Sequence, residues 1–452
     1  MLASDRFPNF LNLEITFQQY PLGASAWIYH VAHLTGPDEE WIWLVAQGWL
    51  ELTCLVPLFS TLCRKSRGQT AAGMLLIALF SFAALNACVS LQDLLVDTLL
   101  PLTGAAALLF AVKECREEAA SPLWLLPMLL TTVQIKNSGI FFILPAILML
   151  LPLLKKKPLR GKTLAAVLIP VLSVYLWYTH CLYVYPAAAT TYHAMTAANF
   201  SSGLAAKSAE TIREILSAVL KASFTGKTLV LFLAGTVLLS GSLLLAGDGA
   251  ARRRMGQCLL LSLGLYLVYT VGMAGMYIFS MPEEEAVVLA GFDRYRMSVL
   301  ILMAYSQLAC FLQESGRLKM GTCLCAGGSA VLLVLWGAHN GGLLPAQASG
   351  KLLETRAWME ATVEQAQIPQ GAACLVIAPE EQGESSRNVL RFLLLSGDVL
   401  QGTWTEGTEP EIPYYIEYVL LQDDDPALRA WADEKWPDQA GSTVIRLTPA
   451  QY

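Results

Sequence analysis

An all-α polytopic membrane protein of about ten transmembrane helices, closed by a small C-terminal α/β domain, is the fold class this sequence predicts. Three observations predict it. Hydrophobic residues make up 55% of the 452 and charged residues only 15%, with a mean hydropathy of +0.49, whereas soluble domains carry about a quarter charged residues. The apolar residues gather in runs close to the ~20 that cross a bilayer. The basic residues gather in five short clusters between those runs. A net charge of −6 gives no reason to expect nucleic acid as a partner, because the charge is segregated by position.

In chain order, the runs fall near 41–60, 71–89, 97–112, 163–184, 227–246, 257–280, 297–313 and 320–338. The stretch 121–154 holds two apolar halves about "QIKNSG" (Gln134 to Gly139). It reads as a tight helical pair turning there. The positive-inside rule supports that pair. Arg64, Lys65 and Arg67; Lys113 and Arg116; Lys155 to Lys157 with Arg160 and Lys162; Arg252 to Arg254; and Arg317 with Lys319 share one side only if 121–154 crosses twice.

The same map divides the chain into an outer segment 1–40, a helical membrane domain 41–340 with an outer loop 185–226, and an extracytoplasmic α/β domain 341–452. Nothing before Trp41 resembles a signal peptide or a first span. In the outer loop, 207–224 has apolar residues at helical spacing opposite Arg213, Glu214 and Lys221. It reads as an amphipathic helix lying in the membrane interface or packed in the loop. From about Lys351 the composition changes. Cys374–Pro379, Tyr414–Gln422 and Ser442–Leu447 read as strands, and Ser385–Gly397 and Pro426–Trp436 as helices. Nine of the ten cysteines lie in or beside apolar runs, with Cys374 alone in the tail. They read as small buried hydrophobes, and the "CLC" at Cys323 has no second pair at zinc spacing. His30 and His33 have helical spacing without a carboxylate pair, so no metal site is assigned.

Ionisable groups at span ends are functional candidates by default. On the predicted outer face these are Asp93 and Asp97, Lys136, Glu283 to Glu285, Asp293 to Arg296, and Tyr20. Carboxylates beside a cleft can take a proton from a hydroxyl, while arginine and lysine can hold a phosphate. Together they describe a site for an anionic, membrane-borne substrate. The blander roles are a helix cap for Asp97, snorkelling for Lys136 and interface anchoring for Arg294 and Tyr295.

Four segments carry a family resemblance. "FQQYPLGASAWIYHVAHLTGPDEE" resembles the "YPPG" segment of bacterial GT-C superfamily glycosyltransferases, such as the protein mannosyltransferases and the aminoarabinose transferase that modifies lipid A. "VDTLLPLTGAAALLFAVK" is similar to their span opening with an aspartate, "VQIKNSGIFFILPA" to their "K-x-x-G" segment, and "EEAVVLAGFDRYR" to their "EA…LaSFdRY" motif. The resemblance covers roughly 7–313 in the expected order.

It implies transfer of a sugar from a polyprenyl phosphate to an envelope glycan or lipid acceptor, in the bacterial cytoplasmic membrane and on its outer face. Asp97, with Asp93 beside it, would be the active-site carboxylate. Lys136, Arg294, Tyr295 and Arg296 would bind the donor phosphate, and Glu285 would orient an arginine. Tyr20, Pro21 and Gly23 would belong to the outer loop near the acceptor. The wider superfamily leaves room for a divalent metal, but no ligand set here supports one. Two departures stand out: Leu22 replaces the second proline, and the family's first span, followed by an acidic pair, would lie before Met1. Two rival classes stay open: a transporter of lipid-linked glycans and an inactive membrane scaffold.

Overall fold

The computed structural model describes residues 20–36, 40–63, 65–86, 94–116, 121–184, 197–246, 248–314, 350–404, 409–422 and 425–447, with a few positions in 327–335. The chain divides into two compact units. One is built from Phe17–Thr35 and Glu39–Ala346 and the other from the C-terminal Gln347–Tyr452.

The first unit is helical. It comprises α1 (Gly23–Thr35), α2 (Glu40–Thr53), α3 (Val56–Ser60), α4 (Arg67–Leu85), α5 (Leu99–Arg116), α6 (Leu126–Ile135), α7 (Gly139–Leu150), α8 (Lys157–Val184), α9 (Ala197–Ala205), α10 (Ala209–Phe224), α11 (Lys227–Ala246), α12 (Gly249–Phe279), α13 (Glu283–Val287) and α14 (Phe292–Glu314). Six stretches among the described residues are long and apolar enough to cross a bilayer: Trp41–Ser60, Arg67–Leu85, Lys157–Val184, Lys227–Leu245, Gly249–Phe279 and Phe292–Glu314. This is fewer than the ten expected, for physical reasons. α5 ends in Lys113, Glu114 and Arg116, and the apolar pair Pro122–Ile135 and Gly139–Lys155 is short. The expected run 320–338 lies mostly outside the described residues.

Burial follows the logic of a bilayer solvent. α14 is the central helix, with its span window 83% buried, and it packs on α5, α11 and α12. α8 is the opposite case, 17% buried. It turns Leu164, Leu168, Leu172 and Leu176 outward at four-residue spacing. α12 does the same with Leu260, Leu263, Leu267 and Val271. Such leucine and valine stripes are stable when hydrocarbon rather than water covers them. The chain is a helical membrane protein.

The turn between α6 and α7 is tight enough to specify its glycine. A Cβ on Gly139 would stand 2.2 Å from the Thr132 carbonyl oxygen, well inside contact. The predicted amphipathic helix is α10, N-capped by the Ser208 hydroxyl, which accepts from the Thr211 amide. Its Ile215 and Val219 are buried, and its Leu216, Leu220 and Phe224 are exposed.

The second unit is a four-stranded sheet of order β2-β1-β3-β4, formed by β1 (Cys374–Ile377), β2 (Val399–Gly402), β3 (Tyr418–Leu421) and β4 (Val444–Arg446). β1 is parallel to β2 and β3, and β4 runs antiparallel to β3. Helices α15 (Gly350–Ala366), α16 (Glu380–Leu394) and α17 (Pro426–Lys435) complete it. Strand alternation sends Cys374, Val376, Tyr418 and Leu420 into a core with Met359 and Leu390. Leu375, Ile377, Val419 and Leu421 enter a second core with Leu428 and Trp436. Burial on both faces explains the unbroken apolar "CLVI" and "YVLL". The strand Val399–Gly402 and the helix Gly350–Ala366 were not foreseen, and α16 begins five residues before the expected Ser385.

Candidate functional site

Four segments distant in sequence meet at one end of the helical unit. Asp97 lies in the turn that leads into α5, where the Leu100 amide donates to the Val96 carbonyl. An anionic side chain at this position also faces the positive end of the α5 dipole. Its carboxylate is 3% exposed as a residue. Oδ1 lies 3.1 Å from Lys136 Nζ and Oδ2 lies 3.3 Å from Arg294 Nε. The Asp97 backbone is fixed separately, because Ser298 Oγ donates to its carbonyl at 2.9 Å.

Lys136 occupies the turn between α6 and α7, with extended backbone at φ −157 and ψ 153. Its ammonium sits 5.1 Å from the Tyr295 ring centroid and 5.7 Å from that of Tyr20. The Arg294 guanidinium lies 5.3 Å from the same Tyr295 ring. Aromatic faces attract cations, so the two tyrosines hold the positive groups as the carboxylate does. Lys136 is 12% exposed and Arg294 32%, so the guanidinium is more open to a ligand than the ammonium.

Tyr20 arrives here because α1 packs on α6. A Cβ on Gly23 would stand 2.6 Å from the Gln134 carbonyl oxygen, so glycine is required for that approach. Pro21 is buried beside it. Burial first, then the charges of Tyr295 and Asp97, push the Tyr20 hydroxyl up to about 12 against the opposing pull of Arg294. Tyr20 therefore stays a neutral O–H donor at neutral pH.

Of the sequence-predicted residues, Tyr20, Asp97, Lys136, Arg294 and Tyr295 come together. Arg296 does not. It is 5% exposed and donates to the carbonyls of Ala222 at 2.6 Å and Thr225 at 3.0 Å. It also pairs with Asp293 at 2.6 Å, fastening the end of α10 to the start of α14. The reason is helical phase: residues two apart project to opposite sides of a helix, whereas Arg294 and Ser298, four apart, share the site face. Glu285 is exposed on α13, and among the described residues no ion pair joins it to an arginine. Asp93 lies outside the described residues. Among the described residues, no three of His, Cys, Asp and Glu form a cluster that could hold a metal ion.

Two contributors escaped the sequence reading. Ser298 carries no signal of its own beyond its place one turn after Arg294. Glu51 does: a carboxylate inside the apolar "WLELT", it is 3% exposed and accepts from Gln47 Nε2 at 3.4 Å. The same amide nitrogen donates to the Leu95 carbonyl at 3.1 Å, tying α2 to the segment that carries Asp97.

The cluster presents two cations, one carboxylate and two phenol rings at the end of the bundle. Its surplus positive charge suits an anion, its carboxylate can accept a proton, and its rings lie against the cations. No protein-family model, curated protein or solved structure matches the chain.

Proposed function

We propose that the chain is a membrane glycosyltransferase, moving a sugar from a polyprenyl-phosphate donor to a cell-envelope acceptor on the outer face of a bacterial cytoplasmic membrane. The observation that carries this reading is the Lys136–Asp97–Arg294 cluster flanked by Tyr20 and Tyr295. Its members come from four separate segments, and each lies in a motif that resembles the GT-C superfamily. In this reading α6 and α7 cross as a pair within about ten spans, the basic clusters are cytoplasmic, and the C-terminal α/β unit is extracytoplasmic.

An acceptor hydroxyl attacks the anomeric carbon, the bond from that carbon to the phosphate oxygen breaks, and polyprenyl phosphate leaves. Arg294 and Lys136 bind the phosphate and stabilise the charge it gains as it departs, an effect strongest where water is excluded. Asp97 exchanges its cations for the acceptor hydroxyl and takes its proton. Tyr20 donates to a phosphate or sugar oxygen. Arg296, committed to the α10 carbonyls, is left to structure.

The test uses membranes containing the full chain, a panel of polyprenyl-phosphate sugars and detection of free polyprenyl phosphate. Arg294→Ala is expected to lower kcat/KM by about 10- to 150-fold, the worth of a charge-assisted hydrogen bond of about 1.5–3 kcal/mol, at unchanged protein level. Unchanged release would remove the phosphate role. Donor crossing the bilayer without release of polyprenyl phosphate would favour a transporter.

A further inference from the structure

A cavity of about 450 Å³ lies among α5, α7, α12 and α14. It exists because small residues face one another there: Ala105 on α5, Ser262 on α12, and Ser306 and Ala309 on α14. The remaining wall is mostly apolar, with leucine the commonest residue, and the polar side chains Arg254, Gln257 and Gln313 belong to one end. Along α14 it extends from Leu302 to Gln313, about 16 Å at the helical rise. That is half of a hydrocarbon core about 30 Å thick, so the groove matches the depth of a single leaflet.

The groove is separate from the Asp97 site. None of Tyr20, Asp97, Lys136, Arg294 or Tyr295 lines it, and Leu302 stands about 12 Å along α14 from Arg294. Its polar end is where basic segments converge. Arg254 pairs with Glu314, Lys65 Nζ donates to the Gln313 carbonyl at 3.1 Å, and Arg252 and Arg253 are exposed near the start of α12. With Glu314 and the capping Asp248 set against these four cations, the mouth keeps a positive surplus among the described residues.

We infer that this groove binds one acyl chain of an anionic glycerophospholipid from the leaflet at the basic end, with the lipid phosphate held beside Arg254. Apolar space of this size inside a bilayer is filled by the hydrocarbon around it, and the surplus charge selects the headgroup. The inference does not depend on the glycosyltransferase reading.

The experiment is native mass spectrometry of the full chain released from vesicles of phosphatidylglycerol or of phosphatidylcholine. One phosphatidylglycerol per chain is expected, at several times the retention of phosphatidylcholine. Arg254→Ala should reduce that preference about fivefold, the attraction of one arginine at an anionic surface. Ala309→Trp, which fills the groove, should lose the lipid, with Ser306→Leu as the milder block if the tryptophan variant does not elute as wild type. Equal retention of the two lipids by the wild type overturns the inference without any variant. So does full retention in the blocked variant, or a retained lipid that is a polyprenyl phosphate.

Discussion

Replacing Asp97 by asparagine separates chemistry from binding more cleanly than any other change at this site. The amide keeps the shape, and the Ser298 bond goes to the Asp97 backbone, so the turn before α5 is retained. What disappears is the negative charge facing Lys136 at 3.1 Å and Arg294 at 3.3 Å. Breaking a fully buried pair costs about 3–5 kcal/mol. Arg294 is a third exposed, so water solvates part of the orphaned charge, and a loss of about 1–3 kcal/mol of stability is expected. The two freed cations then meet an anion without competition. Binding of polyprenyl phosphate to the purified chain should be unchanged or tighter. Turnover should fall about 10²- to 10⁴-fold, the range for loss of a general base. Both can be measured on one preparation, by ligand-induced shift of the unfolding temperature and by release of polyprenyl phosphate from a glycosylated donor. Turnover within threefold of wild type, or binding lost in proportion to turnover, would refute the assignment of Asp97 as the base.

Three further outcomes test the surrounding structure. Arg296→Met leaves the Ala222 and Thr225 carbonyls without their donor and should cost about 1–3 kcal/mol, read as a lower unfolding temperature with turnover per folded molecule unchanged; lost donor binding would return Arg296 to the site. Gly23→Ala places a methyl group 2.6 Å from the Gln134 carbonyl oxygen, so α1 must shift on α6 at about 1–3 kcal/mol, with KM rising as Tyr20 moves; an unaltered unfolding temperature contradicts this packing. Tyr20 titrates near 12 when folded against 10 when unfolded; because its raised value keeps the proton on in the folded state, its contribution is complete below pH 10 and declines up to about 12. Thermal unfolding across that window should fall more steeply for wild type than for Tyr20→Phe, and equal slopes would contradict burial of this hydroxyl.

Much of the fold was legible because a bilayer makes hydrophobic length informative. Lys157–Val184 and Gly249–Phe279 declare themselves by composition alone. The same solvent erases the information about faces. In water an apolar stripe points inward, whereas here Leu164, Leu168 and Leu172 point out with the same side chains that build the core around Val299, Leu300 and Ile301. Central α14 therefore could not be told from peripheral α8 by pattern. The C-terminal unit was legible where strands are buried on both faces, as at Cys374–Ile377. It was illegible at Val399–Gly402, an edge strand reading "VLQG" that packs only partly. α16 begins before Ser385 because Pro379 at its N-cap pre-sets the backbone, a start signal further upstream than the serine pair suggested.

The site was legible for a different reason. Charge is so costly among apolar helices that each ionisable residue at a span end narrows to a few roles, and Asp97, Lys136 and Arg294 satisfy one another's cost. That argument names which residues must find partners without naming the partners. Arg294 and Arg296 are chemically alike and two positions apart, and either could have met the aspartate. The 100° advance per residue decides: with Arg294 directed at Asp97, Arg296 must face the far side, where the α10 carbonyls and Asp293 receive it. Read from α14 outward, the same phase puts Ser298 under the Asp97 backbone. Glu51 follows from the cost argument too, since a carboxylate in "WLELT" demands a donor, and Gln47, four residues before it on the same face of α2, is the polar side chain within reach.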